Sequence, residues 1–106
     1  MATGRLGAED LTATTNTTVY TVPASTFAVV TINVCNRSTT DRAVRLAIAE
    51  ADTPTNAEWI EYDTTLIASG VLERTGVVID ATKKIVAYSN STDVSVVVYG
   101  IETSTA

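Results

Sequence analysis

The side chains best suited to chemistry in this 106-residue sequence sit in one short stretch, Glu58, Trp59, Glu61, Tyr62 and Asp63. Carboxylates beside aromatic rings are what a sugar-cleaving acid pair requires, one to protonate the leaving oxygen and one to attack or to activate water. If the stretch is a strand, however, Glu61 and Asp63 stand two apart and point the same way out of the sheet, which is how a solvated face looks. The same oxygens suit Ca²⁺, but no loop has the ligand spacing of a calcium-binding helix-loop-helix site.

The chain contains no histidine, which excludes Ser-His-Asp and Cys-His catalysis and histidine-ligated metals together. Cys35 is the single cysteine, with no second thiol to resolve it and no imidazole to activate it, and reads as a small residue on a strand. Gly70 and Gly76 are isolated and form no phosphate-cradling pattern; a turn or bulge accounts for them. The Asn-x-Ser/Thr triplets at Asn16, Asn36 and Asn90 are coincidences of a Thr-rich chain. No catalytic residue, metal or cofactor is expected.

The elements that would position such a cluster are strands. From Thr17 onward β-branched runs alternate with turn residues, and the runs have strand lengths. TTVYTV (17–22) stops at Pro23. FAVVTINVCN (27–36) places Val30, Ile32 and Val34 on one face and Val29, Thr31, Asn33 and Cys35 on the other. NRSTTD (36–41) is a polar loop leading into RAVRLAIA (42–49), with Val44, Leu46 and Ile48 on its apolar face, and the two strands read as a hairpin. Good helix formers leave a helical alternative for 43–51. WIEYDTTLI (59–67) sets Ile60, Tyr62 and Leu66 against Trp59, Glu61 and Asp63.

Runs at 71–80, 83–89 and 93–102 complete about seven strands at roughly ten-residue spacing. The expected fold is all-β, an antiparallel β-sandwich of jelly-roll or Ig-like type. Residues 1–16 lack clear periodicity and read as an extended N-terminal arm, either disordered or ordered by a neighbour, with Leu6 and Leu11 as docking points. Residues 17–106 form one domain.

Hydrophobic residues make up 45% of the chain and charged residues 18%, enough apolar material for a core and too little charge for disorder. A formal net charge of −5 argues against nucleic acid and anionic membrane surfaces as partners. Met1 to Thr18 shows no signal-peptide core and no run is long enough to span a bilayer, so a cytoplasm-like site of synthesis is expected.

In the last strand Val94, Val96 and Val98 share one face while Val97, Tyr99 and Ile101 share the other, so both faces are largely apolar. A small sandwich buries only one face of each strand itself. The second face is then covered by the chain's own loops or by another subunit.

The segment TTVYTVPASTFAVVTINVCNRS (17–38) resembles a pattern of tailed-bacteriophage virion proteins: a strand ending in Tyr-Thr-Val-Pro-Ala, a short turn, an apolar strand and an Asn-rich corner. The stretch GVLERTGVVIDATKKIVAYSNSTDVSVVVYGIE (70–102) is similar to the same group, particularly small structural proteins of phages infecting marine cyanobacteria. The resemblance implies a β-sandwich building block carried on a virion assembled in the host cytoplasm, as capsid decoration or as a tail, neck or fibre component. Its partners would be copies of itself, a homotrimer being expected, and other capsid or tail proteins. The contacts assigned to this role are Leu6, Leu11, Val97, Tyr99 and Ile101. The competing expectation is a receptor- or carbohydrate-binding module using Trp59, Glu61 and Tyr62.

Overall fold

A computed structural model describes residues 2–105. Eight strands follow one another with no helix among the described residues: β1 (Thr3–Asp10), β2 (Thr17–Thr21), β3 (Thr26–Asn36), β4 (Arg42–Ala49), β5 (Trp59–Leu66), β6 (Val71–Ile79), β7 (Lys84–Ser89) and β8 (Val94–Ser104). The seven strands expected from Thr17 onward all form. The helical alternative for 43–51 does not, because Val44, Leu46 and Ile48 alternate into a core while β5 and β7 take the backbone bonds of β4 on either side.

Every pairing is antiparallel, and the pairs nest: β1 with β8, β2 with β7, β3 with β6 and β4 with β5. The chain is thus one long hairpin whose tip is the 50–58 connection. Rolling it up adds the pairings β3–β8 and β4–β7 and yields two four-stranded sheets, β1-β8-β3-β6 and β2-β7-β4-β5. That order is a jelly roll.

Two sequence expectations change here. First, much of the 1–16 segment is no free arm, since β1 runs along β8 as an edge strand of the sheet. Leu11 donates its backbone N–H to the Val94 carbonyl at 2.9 Å and is 2% exposed, and Leu6 packs against the same core. Gly7 permits this closure, because a Cβ there would stand 2.3 Å from the Val19 carbonyl oxygen of β2. Second, β3 and β4 do not form a hairpin. They lie in different sheets, so 37–41 is an arch across the top of the sandwich. A local alternating pattern has the same appearance for a hairpin and for a sheet-to-sheet crossing.

Asn36, fully buried, organises that arch. Its Nδ2 donates to the carbonyls of Thr40 (2.9 Å), Leu66 (3.0 Å) and Ile67 (3.1 Å), and its Oδ1 accepts from the Ser38 N–H (2.9 Å) and hydroxyl (2.8 Å). The β3–β4 arch is thereby stitched to the end of β5, which satisfies carbonyls that a turn would otherwise bury unpaired.

The core lies between the sheets and is filled mainly by β-branched residues from alternate positions, including Val30, Ile32 and Val34 of β3 and Val94, Val96 and Val98 of β8. Each such fully buried side chain contributes about 1.5–3 kcal/mol relative to exposure. Polar links clasp the two sheets together. The Tyr20 hydroxyl of β2 donates to Glu102 of β8, and Glu61 of β5 pairs with Arg74 of β6 while accepting the Thr64 hydroxyl at 2.6 Å.

Candidate functional site

Two sheets leave two outer faces, and the chain treats them differently. On the outer face of β2-β7-β4-β5, Trp59 lies over a floor of Ala47, Ala49 and Val86, all buried although they point away from the main core. Arg45 lies over three aromatic rings, its Cζ 5.8 Å from the Trp59 centroid, 4.2 Å from Tyr62 and 4.3 Å from Tyr88. Trp59 and Tyr62 meet edge to face with centroids 5.3 Å apart. Asp63 accepts from Arg45 Nε at 2.6 Å and Nη2 at 3.2 Å, a two-pronged pairing that fixes the guanidinium plane. The Arg45 hydrogen bonds hold the Asp63 carboxyl below the usual carboxylate range and raise the Arg45 pKa in turn.

This arrangement overturns the alternation expected for 59–67. The pairing with β4 shifts register twice within Trp59–Thr64, and Asp63 has a left-handed φ of 50°. Each extra residue flips the strand, so Trp59 sides with Ala47 and Glu61 with Leu46. Glu61 and Asp63 therefore do not point the same way. Glu61 is 8% exposed and faces Arg74 and Thr64 between the sheets, whereas Asp63 is exposed and faces Arg45. The ligand patch expected from Trp59, Glu61 and Tyr62 thus loses Glu61 to the sandwich interior. It gains Arg45 and Tyr88, which the sequence reading did not single out because they lie on other strands. Tyr62 remains 56% exposed.

The outer face of β1-β8-β3-β6 is built differently. Cα register places Thr3, Ile101, Val29 and Val78 in one row across the sheet, Arg5, Tyr99 and Thr31 in the next, Ala8, Val97, Asn33 and Glu73 in a third, and Asp10, Ser95, Cys35 and Val71 in a fourth. No segment of the described residues lies over this face as Trp59 and Arg45 lie over the other. Val78 is 68% exposed, Val71 57%, Ile101 48% and Tyr99 39%. Val97 is half-buried between Ala8 and Asn33, and the Tyr99 hydroxyl donates to Glu73 Oε2 at 3.2 Å.

Of the five contact residues expected from sequence, the structure brings Val97, Tyr99 and Ile101 together on this face. It does not bring Leu6 and Leu11 there. Both dock onto their own core, so as partner contacts they are corrected. Val71 and Val78 were missed as members of the face because β6 alternates poorly: opposite Thr31 it carries Thr75 and Gly76, the glycine at φ 65°, and this bulge breaks the two-residue rhythm.

Among the described residues no group of three or more His, Cys, Asp or Glu side chains could hold a metal ion. Comparison with known proteins finds no matching family model, no matching curated protein and no matching solved structure.

Proposed function

We propose that this chain is an assembly module of a tailed-phage particle, a capsid decoration or a tail, neck or fibre component, which acts through contacts with its own copies and with other virion proteins. The observation that carries the reading is the asymmetry of the two outer faces. On one, Trp59 and Arg45 pack over Ala47, Ala49, Val86 and the aromatic rings and Tyr62 stays exposed, while the other leaves four apolar side chains, Val71, Val78, Tyr99 and Ile101, in water. Exposed apolar side chains grouped on one sheet face, here Ile101 and Val78 on either side of Val29 with Tyr99 in the next row, are a feature that soluble monomers keep small and that interfaces use. The jelly-roll order supports the reading by analogy alone, since capsid domains and lectins both use it. The particle assignment itself is supported by the resemblance of residues 17–38 and 70–102 to small phage structural proteins.

Mass spectrometry of density-banded phage particles tests the proposal. The chain should band with the particle in stoichiometric amounts, and an Ile101→Asp chain should stay in the unbanded supernatant. A chain found only in the supernatant would overturn it.

A second reading, a receptor- or carbohydrate-binding module, is favoured by one observation, the exposed Tyr62 ring beside the fixed Arg45–Asp63 pair. Under it Tyr62→Ala abolishes retention on a glycan array and leaves banding with the particle intact. Trp59 is less useful as a discriminator, because its packing on Ala47, Ala49 and Val86 gives it a structural role under either reading.

A further inference from the structure

The geometry points to a second copy of this chain as the partner that meets the uncovered face, laid face to face across a twofold axis parallel to the strands. This rests on the assembly reading and adds the partner and its orientation. The first ground is charge. Arg5 stands on β1 at one edge of the face and Glu73 on β6 at the other, one row apart, with Tyr99 and Val97 of β8 and Thr31 and Asn33 of β3 between them. Neither makes an ion pair among the described residues, although Glu73 accepts the Tyr99 hydroxyl.

A twofold rotation about an axis along the strands lays β1 of one copy over β6 of the other and leaves heights along the strand unchanged. Arg5 then faces Glu73 of the second copy at both rims, offset by one row, about 7 Å, within reach of an arginine side chain; Asp10 lies one row from Glu73 on the other side, but its charge is already paired with Arg37 of its own chain at 2.5 Å. A twofold across the strands instead lays β6 over β6 and brings Glu73 toward its own counterpart, a like-charge contact that disfavours that docking.

Area sets the strength. Four strands about 4.8 Å apart and eight residues of about 3.3 Å rise give a face of roughly 500 Å², so a pair hides about 1,000 Å² in total. That is the lower end of specific interfaces and implies a dimer that dissociates on dilution. An isologous contact of this kind closes at two copies.

Sedimentation velocity on the full chain, across a concentration series, tests the inference. The wild type should rise from 11.2 kDa toward twice that mass. Arg5→Glu and Glu73→Arg should each weaken association by about tenfold, and the double exchange should restore it to within about threefold of wild type. Both positions are exposed, so circular dichroism of the variants should match the wild type. A trimer mass, a wild type that stays at 11.2 kDa, or a double exchange no tighter than the single ones would each overturn the twofold. Banding with particles is read separately. A chain that bands with particles yet stays monomeric in solution overturns the twofold and leaves the assembly reading standing. A charge-sensitive dimer that never bands with particles supports the twofold and overturns the particle role.

Discussion

The Tyr99 hydroxyl of β8 reaches over β3 to donate to Glu73 Oε2 of β6, 3.2 Å away, on the outer face of the sheet. Partial desolvation and the neighbouring carboxylate raise the Tyr99 pKa above its ordinary 10.0. The bond holds Glu73 on the outer face beside Asn33 and is itself open to water. Tyr99→Phe should therefore leave the midpoint of a urea titration where it is in the wild type. A clear loss of stability would make Tyr99 part of the fold and not of a free surface.

Trp59→Ala should cost about 2–3 kcal/mol, less than a fully buried tryptophan because Trp59 is only half-buried. The loss comes from exposing Ala47, Ala49 and Val86 and from unstacking Arg45. Chemical denaturation measures it, and Trp59→Phe should recover about half. An unchanged midpoint for the alanine variant would show that the ring covers nothing that matters to stability.

Asn36→Ala should destabilise the protein by about 2–3 kcal/mol, since it leaves the Leu66 carbonyl and its neighbours buried without a donor. Asn36→Asp should be at least as damaging, because a carboxylate would face three carbonyl oxygens. Hydrogen exchange should show the loss first in the 37–41 and 67–70 arches, where the Ser69 N–H now donates to the Ser38 carbonyl at 3.0 Å.

Stability should fall at both ends of the pH range for separate reasons. Tyr20 has a pKa raised above its ordinary 10.0 by burial and then by the Glu102 carboxylate that accepts its hydrogen bond. Its contribution is fully present below 10.0 and is lost as pH rises through the higher folded value, so Tyr20→Phe should flatten the alkaline limb of a plot of Tm against pH. Asp63 runs the other way. Its pKa lies below the ordinary 3.8, so its contribution is present above 3.8 and disappears as pH falls through the folded value. Asp63→Asn should flatten the acid limb slightly, and added salt should reduce the difference, because the pair is exposed.

The parts of this fold that were legible in the sequence are those where a strict two-residue rhythm survives. Val30, Ile32 and Val34 face inward, and Val97, Tyr99 and Ile101 face outward, as alternation alone implies. The rhythm fails at bulges. One left-handed residue, Asp63, and two register shifts turn Glu61 from a surface carboxylate into an interior one, and neither shift has a sequence signal such as Gly or Pro. β1 was illegible for another reason, since TGRLGAED has little apolar alternation and owes its strand to backbone pairing with residues some ninety positions away. The Arg45 stack joins β4, β5 and β7, so only the register of the folded sheet brings its members together.

A dilution series of the wild-type chain beside Ile101→Asp, followed by sedimentation velocity, tests the central claim that the outer face of β1-β8-β3-β6 is an assembly surface. Ile101 is about half exposed in the isolated chain, so the substitution should leave the fold intact. The wild type should gain mass above 11.2 kDa with concentration while the variant stays at that value. Equal masses for the two at every concentration, whether both monomeric or both associated, would contradict it.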